Sequence, residues 1–483
     1  MASNKILLTA IGLGLFLLQA CSTQKKISRG AGNRLLQDSA LATAHIGISI
    51  YDPATKQYLY NYQGDKYFVP ASNTKIPTCY LGMKYLGDSL TGLLYGIPEE
   101  EAYRKQFVVI RPTGDPTFLH PDFKQQPVFN FLNRIFREQR KTPVTFYFDG
   151  SNVERWGNGW SWNDYQAYYM AERNTFPVFG NVLDVKLVPV NRRVVHDSAN
   201  PYQPRLVLFE TGNSFFNKLL NDRIPTAFKD WQKDSLPKLS FTRKIDANTF
   251  SVLPGNKPFN GTEIPFSTNY LETVTRVLED TIGIRFKHTA SKDENNTTTF
   301  YFDNEDGDVM RPATIKNWHP IHTQPTDSML QRMMYRSDNF YAEQTLLMTS
   351  FALLDKMDSR KIIDTILKTD FKNLPQKPAW ADGSGLSRYN LFTPQDFVHI
   401  LSKMKEEFGM QRIKTIFAAG GKGTLSSYYN DATTPYLYAK TGTLSGVVAL
   451  SGFIYTKSGK ELIFSVLVNN HQASAVQVRR SVE

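Results

Sequence analysis

Apolar residues alternate with small or polar residues along residues 45–51, and strand-like apolar runs recur near the end of the chain. Both patterns predict β-strands. Residues 45–62 read as a hairpin, in which residues 52–55 form the turn. Residues 436–444, 447–456 and 461–469 read as three more strands, the last two joined by a tight turn. Because the two ends of a domain often lie close together, we expect these five strands to share one antiparallel sheet.

Helical spacing of apolar positions begins near Ser72 and continues to about residue 86, with Pro77 early enough to be tolerated. The same spacing predicts helices over residues 327–336, 340–355 and 394–408. The pattern changes between residues 93 and 316, where strand-like runs at 107–110, 144–148, 185–188 and 299–302 alternate with Gly-, Asn- and Pro-containing loops. We therefore expect a large β-rich insertion in that part of the chain.

The first residues are typical of an export signal. Lys5 precedes an apolar run that is too short to span a membrane comfortably, and the run ends at Leu-Gln-Ala followed by Cys21. That ending resembles the lipobox of bacterial lipoproteins, which implies cleavage after residue 20 and a lipid on Cys21. Residues 21–44 then form a tether, and Ser22 favours the outer membrane by analogy with that class. An ordinary export signal with an incidental cysteine is the alternative.

Composition excludes some classes of function. The chain has 483 residues, 41% of them hydrophobic, which fits a globular body, and its formal net charge is +11. No run of Lys and Arg and no nucleic-acid-binding motif accompanies that charge, so we expect an anionic envelope surface, not nucleic acid, as its counterpart. With two cysteines and no HExxH arrangement around His319 and His322, we expect neither a disulfide framework nor a metal site, and no cofactor.

Ser72-Asn73-Thr74-Lys75 is the first motif that carries chemistry. At helical spacing Lys75 can reach the hydroxyl of Ser72, and a lysine with a lowered pKa can take the proton of a serine nucleophile. The spacing alone is weak evidence, because residues 22–25, 235–238 and 402–405 repeat it. Of these four segments, only residues 72–75 stand where a helix is expected to begin.

Two further motifs follow in the chain. Ser337-Asp338-Asn339 lies between two predicted helices, so we expect a turn that directs Ser337 and Asn339 to the same side, although a simple helix cap would look alike. Lys440-Thr441-Gly442 lies on a predicted strand, where the glycine lets a ligand approach the backbone. The chain thus has three motifs in order: a nucleophile–lysine pair, a Ser-x-Asn turn and a strand with Lys-Thr-Gly. This order resembles the motif order of the penicillin-binding proteins and class A β-lactamases.

The surrounding segments narrow the resemblance to the class C low-molecular-mass penicillin-binding proteins, which are D-alanyl-D-alanine carboxypeptidases and endopeptidases. The segments that carry it are 68–75, 114–117, 336–339, 382–388 and 440–444. This resemblance implies an α/β fold: a transpeptidase- or β-lactamase-like catalytic domain from residues 45–92 and 317–483, with an antiparallel sheet and helices. Residues 93–316 would be the β-rich insertion between the first and second motifs.

The resemblance also implies roles for individual residues. Ser72 would be the nucleophile and Lys75 its base. Ser337 would relay a proton, and Asn339 would bind both the amide of the peptide and Lys75. In the third motif, Lys440 would face the substrate carboxylate and Thr443 would supply an oxyanion N–H, with Thr441 and Gly442 forming the same strand. Trp160-Ser161-Trp162-Asn163-Asp164 is similar to a family segment whose aspartate receives the amino group of the stem peptide, and Arg388 belongs to the same pocket.

The expected partners are therefore peptidoglycan stem peptides, β-lactams as inhibitors, and a membrane reached through the lipid anchor. Two alternatives stay open. One is a non-catalytic envelope lipoprotein that binds wall peptide or senses β-lactams, although such a protein has no need of the base Lys75. The other is a β-lactamase, but Glu343 lies too close to the Ser-Asp-Asn turn to act as a deacylation base in the way class A enzymes use a glutamate.

Overall fold

The structure is a computed structural model, which describes residues 35–97, 108–138, 144–148, 153–189, 207–210, 214, 216–217, 239–253, 260–268, 272–283, 289–292, 298–302 and 315–483. The predicted leader and Cys21 lie outside the described residues. Among the described helices, none has the length and apolar character needed to cross a membrane.

The described strands, in chain order, are β1 (His45–Asp52), β2 (Gln57–Tyr62), β3 (Ser89–Gly96), β4 (Val108–Pro112), β5 (Val144–Phe148), β6 (Val182–Pro189), β7 (Val207–Glu210), β8 (Ser240–Arg243), β9 (Phe250–Leu253), β10 (Thr262–Pro265), β11 (Thr289–Lys292), β12 (Thr298–Phe302), β13 (His319–Pro325), β14 (Ala418–Ala419), β15 (Leu437–Leu444), β16 (Val447–Tyr455) and β17 (Glu461–Asn469). The described α-helices are α1 (Lys75–Tyr85), α2 (Pro127–Glu138), α3 (Glu272–Ile282), α4 (Thr326–Arg336), α5 (Asn339–Leu354), α6 (Ser359–Lys368), α7 (Pro394–Ile416) and α8 (Ala475–Val482).

The first sheet joins both ends of the chain. Its strand order is β14-β15-β16-β17-β1-β2, and every neighbouring pair is antiparallel. Ile46 of β1 lies opposite Val468 of β17, which closes the sheet across more than four hundred residues of sequence. The prediction of one antiparallel sheet from both ends is therefore confirmed, with β14 as an additional short edge strand.

Helix α7 packs on one face of this sheet, and helices α1, α4 and α5 pack together with it in one core. Their core includes fully buried side chains from three helices and the sheet, among them Tyr80, Met329, Tyr341 and Phe453. The three helices predicted between residues 327 and 408 are confirmed, although α7 continues to Ile416 through a non-helical Gly409. A long helix that is buried around its whole circumference, as α5 is from Phe340 to Ser350, belongs in the middle of such a core.

A second sheet has the order β11-β12-β5-β4-β3-β13, in which β4 and β5 are parallel and the other pairs antiparallel. A three-stranded sheet (β10-β6-β7) and the β8–β9 hairpin also fall within the predicted insertion. Strand β3, at the predicted start of the insertion, pairs with strand β13, which follows the predicted end of the insertion. The exact boundaries at residues 93 and 316 stay a prediction.

The β-rich description of the insertion omitted two helices. Helix α2 buries Val128 and Leu132, and helix α3 buries Val277 and Leu278, all in one core with the neighbouring strands. Both helices have apolar residues at i, i+3 and i+4, which is the helical period. The sequence therefore contained the signal, and the strand-rich surroundings obscured it.

Candidate active site

The Ser72 turn lies where helix α1 meets the first sheet. Residues Ala71–Thr74 form one 3-10 turn that leads directly into α1, as the sequence predicted for a helix start. The buried amide of Asn73 lies 2.6 Å from Ser451 Oγ and 2.7 Å from the Lys440 carbonyl oxygen. These contacts hold the turn against β15 and β16 and leave Ser72 facing a cavity.

Lys75 Nζ lies among three oxygen atoms. It is 3.0 Å from Ser72 Oγ, 2.6 Å from Asn339 Oδ1 and 2.7 Å from the Ser384 carbonyl oxygen. The amide oxygen and the carbonyl oxygen can only accept, so they take two N–H bonds, and the third direction faces the serine hydroxyl. In a neutral lysine that third direction is the lone pair, which can accept the proton of Ser72.

Burial also favours the neutral form of this lysine. The side chain is fully buried, and desolvation lowers the pKa of Lys75 to about 8, although the negative charges of Asp382, Asp338 and Glu343 oppose the shift. A pKa near neutrality makes a lysine an effective general base. The geometry and the electrostatics of the pair therefore agree.

The Ser337 turn joins α4 to α5. Ser337 has a left-handed backbone (φ 59°), and Asp338 caps α5 by accepting a hydrogen bond from the Tyr341 N–H at 3.0 Å. Both predicted side chains, those of Ser337 and Asn339, reach the same cavity. Asn339 also donates from Nδ2 to the Tyr169 carbonyl at 2.9 Å, so it links Lys75 to the inserted region.

Lys440 is the second buried lysine of the site. Its Nζ donates to Ser337 Oγ at 2.8 Å and to the Thr441 carbonyl at 2.7 Å. Burial, with further contributions from the charges of Lys75 and Arg479, holds the pKa of Lys440 well below its ordinary value. The side chain has no exposed surface, and residues 443–445 form the cavity wall at this end.

Strand β15 passes very close to the Ser72 turn at Gly442. A Cβ atom there would lie 2.7 Å from the Pro70 carbonyl oxygen and 3.0 Å from Ser72 N. Only glycine allows this approach. It places the backbone of β15 beside the backbone N–H of Ser72, as an oxyanion site formed by Ser72 and Thr443 requires.

The loop at residues 382–388 closes the site from the other side. Asp382 is fully buried and accepts hydrogen bonds from Gly385 N (2.8 Å), Ser387 N (2.6 Å) and Trp160 Nε1 (2.8 Å). The loop therefore forms a turn beside the site, and the same carboxylate holds it to the inserted region. Asp382 itself was not predicted.

Glu343 is a second residue that the sequence analysis did not place in the site. Its Oε1 accepts from Ser384 N at 2.7 Å, and its Oε2 lies 3.5 Å from Arg173 Nη1. Burial and the charge of Asp382 raise the pKa of Glu343 to about 7. Both oxygens are engaged behind the loop, which agrees with the expectation that Glu343 does not activate a deacylating water. Its i+4 spacing from Asn339 was the signal that could have found it.

The cavity has a volume of about 980 Å³ and collects residues from all of these segments. Asp164, at the end of the 3-10 turn Trp162–Asp164, and Arg388 both lie in its wall, so the structure places these two predicted residues at the same site as Ser72. Arg388 Nη2 donates to the Ser445 carbonyl at 2.8 Å. Among the described residues, no group of three or more His, Cys, Asp or Glu side chains is arranged to hold a metal.

Comparisons with known proteins agree with this arrangement. The model of the D-Ala-D-Ala carboxypeptidase 3 (S13) family matches residues 31–207 and 309–482. A D-alanyl-D-alanine carboxypeptidase of Actinomadura is 25% identical over 494 residues, which cover 97% of this chain and 86% of the relative. The carboxypeptidase DacB of Haemophilus influenzae is 28% identical over 162 residues, which cover only 32% of this chain and 34% of that protein.

Among solved structures, penicillin binding protein 4 of Haemophilus influenzae superposes with a TM-score of 0.63 at 19% identity. The superposition covers 91% of this chain and 93% of that protein. At this identity the similarity concerns the fold alone, and it confirms the predicted α/β fold class.

We predict that Gly385→Ala disrupts the Ser72 turn. Gly385 has a φ of +82°, and a Cβ atom there would lie 1.8 Å from the Ala71 carbonyl oxygen. Strain and overlap together should lower the free energy of unfolding by about 2–5 kcal/mol in urea titrations. They should also slow acylation of Ser72 by an active-site reagent.

Gly87→Ala is the matched control, because Gly87 has a φ of +68° and no neighbouring atom within 4 Å of the point that a Cβ atom would occupy. It should lose only about 1–2 kcal/mol through backbone strain and leave Ser72 reactivity unchanged. Equal losses in the two variants would show that the approach to Ala71 is not critical.

Proposed function

The chain belongs to the D-Ala-D-Ala carboxypeptidase 3 (S13) family, and we propose that it cleaves D-alanyl-D-alanine bonds of peptidoglycan stem peptides through an acyl-enzyme on Ser72. It is a serine-type peptidase of the penicillin-binding class. The observation that carries the proposal is the position of Lys75 Nζ, 3.0 Å from Ser72 Oγ, with its other two hydrogen-bonding directions taken by oxygens that can only accept. A module that only binds peptide has no need of that arrangement.

In the proposed first half-reaction, Lys75 takes the proton of Ser72 while Oγ attacks the carbonyl carbon between the two D-alanines. The backbone N–H groups of Ser72 and Thr443 hold the oxyanion. The C–N bond then breaks, and Ser337 relays a proton to the leaving amine, with Lys440 hydrogen-bonded behind it at 2.8 Å. In the second half-reaction, water attacks the ester, and the same groups return Ser72 to its starting state.

Penicillin acylates Ser72 by the same first half-reaction, but the second half-reaction, hydrolysis of the ester, is impeded. Its amine stays attached to the acyl group through the opened ring, so it continues to occupy the space that water needs. Since both oxygens of Glu343 are engaged by Ser384 and Arg173, this glutamate of α5 is not available to activate water. The structure therefore gives no support to the β-lactamase alternative.

We expect Ser72→Ala to abolish both covalent labelling by fluorescent penicillin and release of D-alanine from purified muropeptides. Thermal stability should stay near that of the wild type, because Ser72 faces the cavity. Mass spectrometry of the muropeptides distinguishes loss of one terminal alanine from splitting of cross-linked dimers.

Ser402→Ala provides the control, since Ser402 and Lys405 repeat the spacing on the outer part of helix α7. Full labelling of Ser402→Ala is expected. Labelling that persists in Ser72→Ala would remove Ser72 from the proposed mechanism.

The rate of acylation should rise with pH through the pKa of Lys75, about 8. Lys75 acts as a base only when it is neutral, and the neutral fraction falls about tenfold for each pH unit below the pKa. Stopped-flow acylation by penicillin measures this profile, with circular dichroism verifying that the protein stays folded. A rate that is flat from well below to well above this pKa would argue against Lys75 as the base.

We also propose that Asp164 receives the amino group of the third stem-peptide residue. Asp164 and Arg388 both lie in the cavity wall, which supports the pocket implied by the family. Asp164→Asn should raise KM for peptides with a free side-chain amine and spare the acetylated peptides. If KM rises equally for the free-amine and the acetylated peptides, Asp164 does not bind that amine.

The lipid anchor on Cys21 and the envelope location remain our proposal from the sequence. Cys21→Ser should move the protein from the membrane fraction to the soluble fraction and prevent incorporation of labelled palmitate. Cys79→Ala, which alters the buried free cysteine, should retain the lipid. Membrane association that survives Cys21→Ser would point to a different anchor.

A further inference from the structure

The cavity wall near Thr443 is supported by an arginine from helix α8. Arg479 Nη2 donates a hydrogen bond to Thr443 Oγ1, and Thr443 itself lines the cavity. The guanidinium group also lies 5.9 Å from the centre of the Tyr428 ring. Arg479 is thus a cation placed one side chain away from the space in front of Ser72.

The charge of Arg479 is not matched by any carboxylate among the described residues. The structure gives ion pairs for its neighbour Arg480, which contacts Glu483, but none for Arg479. Its Nε is buried and has no hydrogen-bond partner within the described part of the chain. A cation with a buried, unsatisfied N–H is unfavourable, and the described residues leave the positive charge of Arg479 uncompensated.

Lys440 is less suited to that anion than the sequence suggested. Its two hydrogen bonds go to Ser337 Oγ and to a carbonyl oxygen, and it has no surface on the cavity. Arg479, by contrast, presents a planar guanidinium group with several N–H donors.

The hydrogen bond between Arg479 and Thr443 also determines what the threonine can do. A hydroxyl has two acceptor lone pairs and one hydrogen. When Arg479 occupies a lone pair, the hydrogen of Thr443 is directed away from the guanidinium group and is available to a second acceptor in the cavity. A carboxylate oxygen is the acceptor that benefits most from a donor polarised by a neighbouring cation.

We propose that Arg479 is a positioning residue for the terminal carboxylate of the substrate, acting through the Thr443 hydroxyl and through its own unpaired charge. This inference rests on the proposed function, because it assigns the carboxylate of the D-alanyl-D-alanine peptide to the Thr443 end of the cavity. A positioning role of Arg479 would make the enzyme bind peptides that end in a free carboxylate more tightly than peptides that end in an amide.

The test compares a peptide ending in free D-alanine with the same peptide ending in D-alaninamide. Arg479→Gln should raise KM for the free acid by roughly 10- to 100-fold, the range expected for a charge-assisted hydrogen bond, with kcat and the amide much less affected. Arg480→Gln is the matched control. It removes the same charge from the same helix, but Arg480 bonds Glu483 and the Ser427 carbonyl instead of Thr443.

Two further variants separate positioning from a structural role. Arg479→Lys keeps the charge and should recover part of the preference for the free acid. In the Thr443→Val background, Arg479→Gln should add much less than it does alone, because the two groups act through one hydrogen bond. Fully additive losses, or equal losses for acid and amide, would overturn the inference.

A binding measurement keeps the inference separate from the proposed chemistry. Calorimetry on Ser72→Ala, which does not turn over, should show tighter binding of the acid than of the amide, and Arg479→Gln should remove that difference. If the wild type cleaves no peptide but this difference is present, the proposed function fails and the assignment of Arg479 stands. If Arg388→Gln removes the difference and Arg479→Gln does not, the carboxylate belongs to Arg388.

Discussion

The site depends on the burial of two lysine side chains, Lys75 and Lys440, at the junction between the first sheet and its helices. Neither side chain has exposed surface, and the structure gives neither an ion pair with a described carboxylate. Removing an ammonium group from water is unfavourable unless polar groups replace the water. The protein supplies these groups as hydroxyl, amide and carbonyl oxygens, and the sequence motifs are largely the set of residues that provide them.

Those oxygens come from parts of the chain that are far apart in sequence, so the fold has to bring them together. Asn339 begins α5, Ser384 belongs to the loop that Asp382 closes, and Ser337 lies in the turn before α5. The inserted region takes part as well, because Trp160 bonds Asp382 and the Tyr169 carbonyl bonds Asn339. The insertion is therefore part of the support of the lysine site and not only an addition to its rim.

The sequence predicted what depends on local spacing. The Ser72–Lys75 pair follows from the geometry of one helical turn, and the strands of the first sheet follow from alternation in β1 and from short apolar runs near the end of the chain. Asp382 and Arg479 could not be found in this way, because their contacts join segments far apart in the chain. A carboxylate in a loop or an arginine on a short helix has the same local pattern whether it faces solvent or a catalytic cavity.

The two buried lysines also explain, under the proposed mechanism, how proton uptake from Ser72 is linked to proton delivery to the leaving amine. Like charges in a poorly solvated site oppose each other, so the charge of Lys75 contributes to the lowered pKa of Lys440. When Lys75 accepts the proton of Ser72, its new charge makes the proton of Lys440 easier to lose. Ser337 Oγ is the acceptor of Lys440, and it lines the cavity where the leaving amine forms. Protonation at one end of the site thus promotes proton delivery at the other, and the serine between Lys440 and the cavity is the route that the geometry provides.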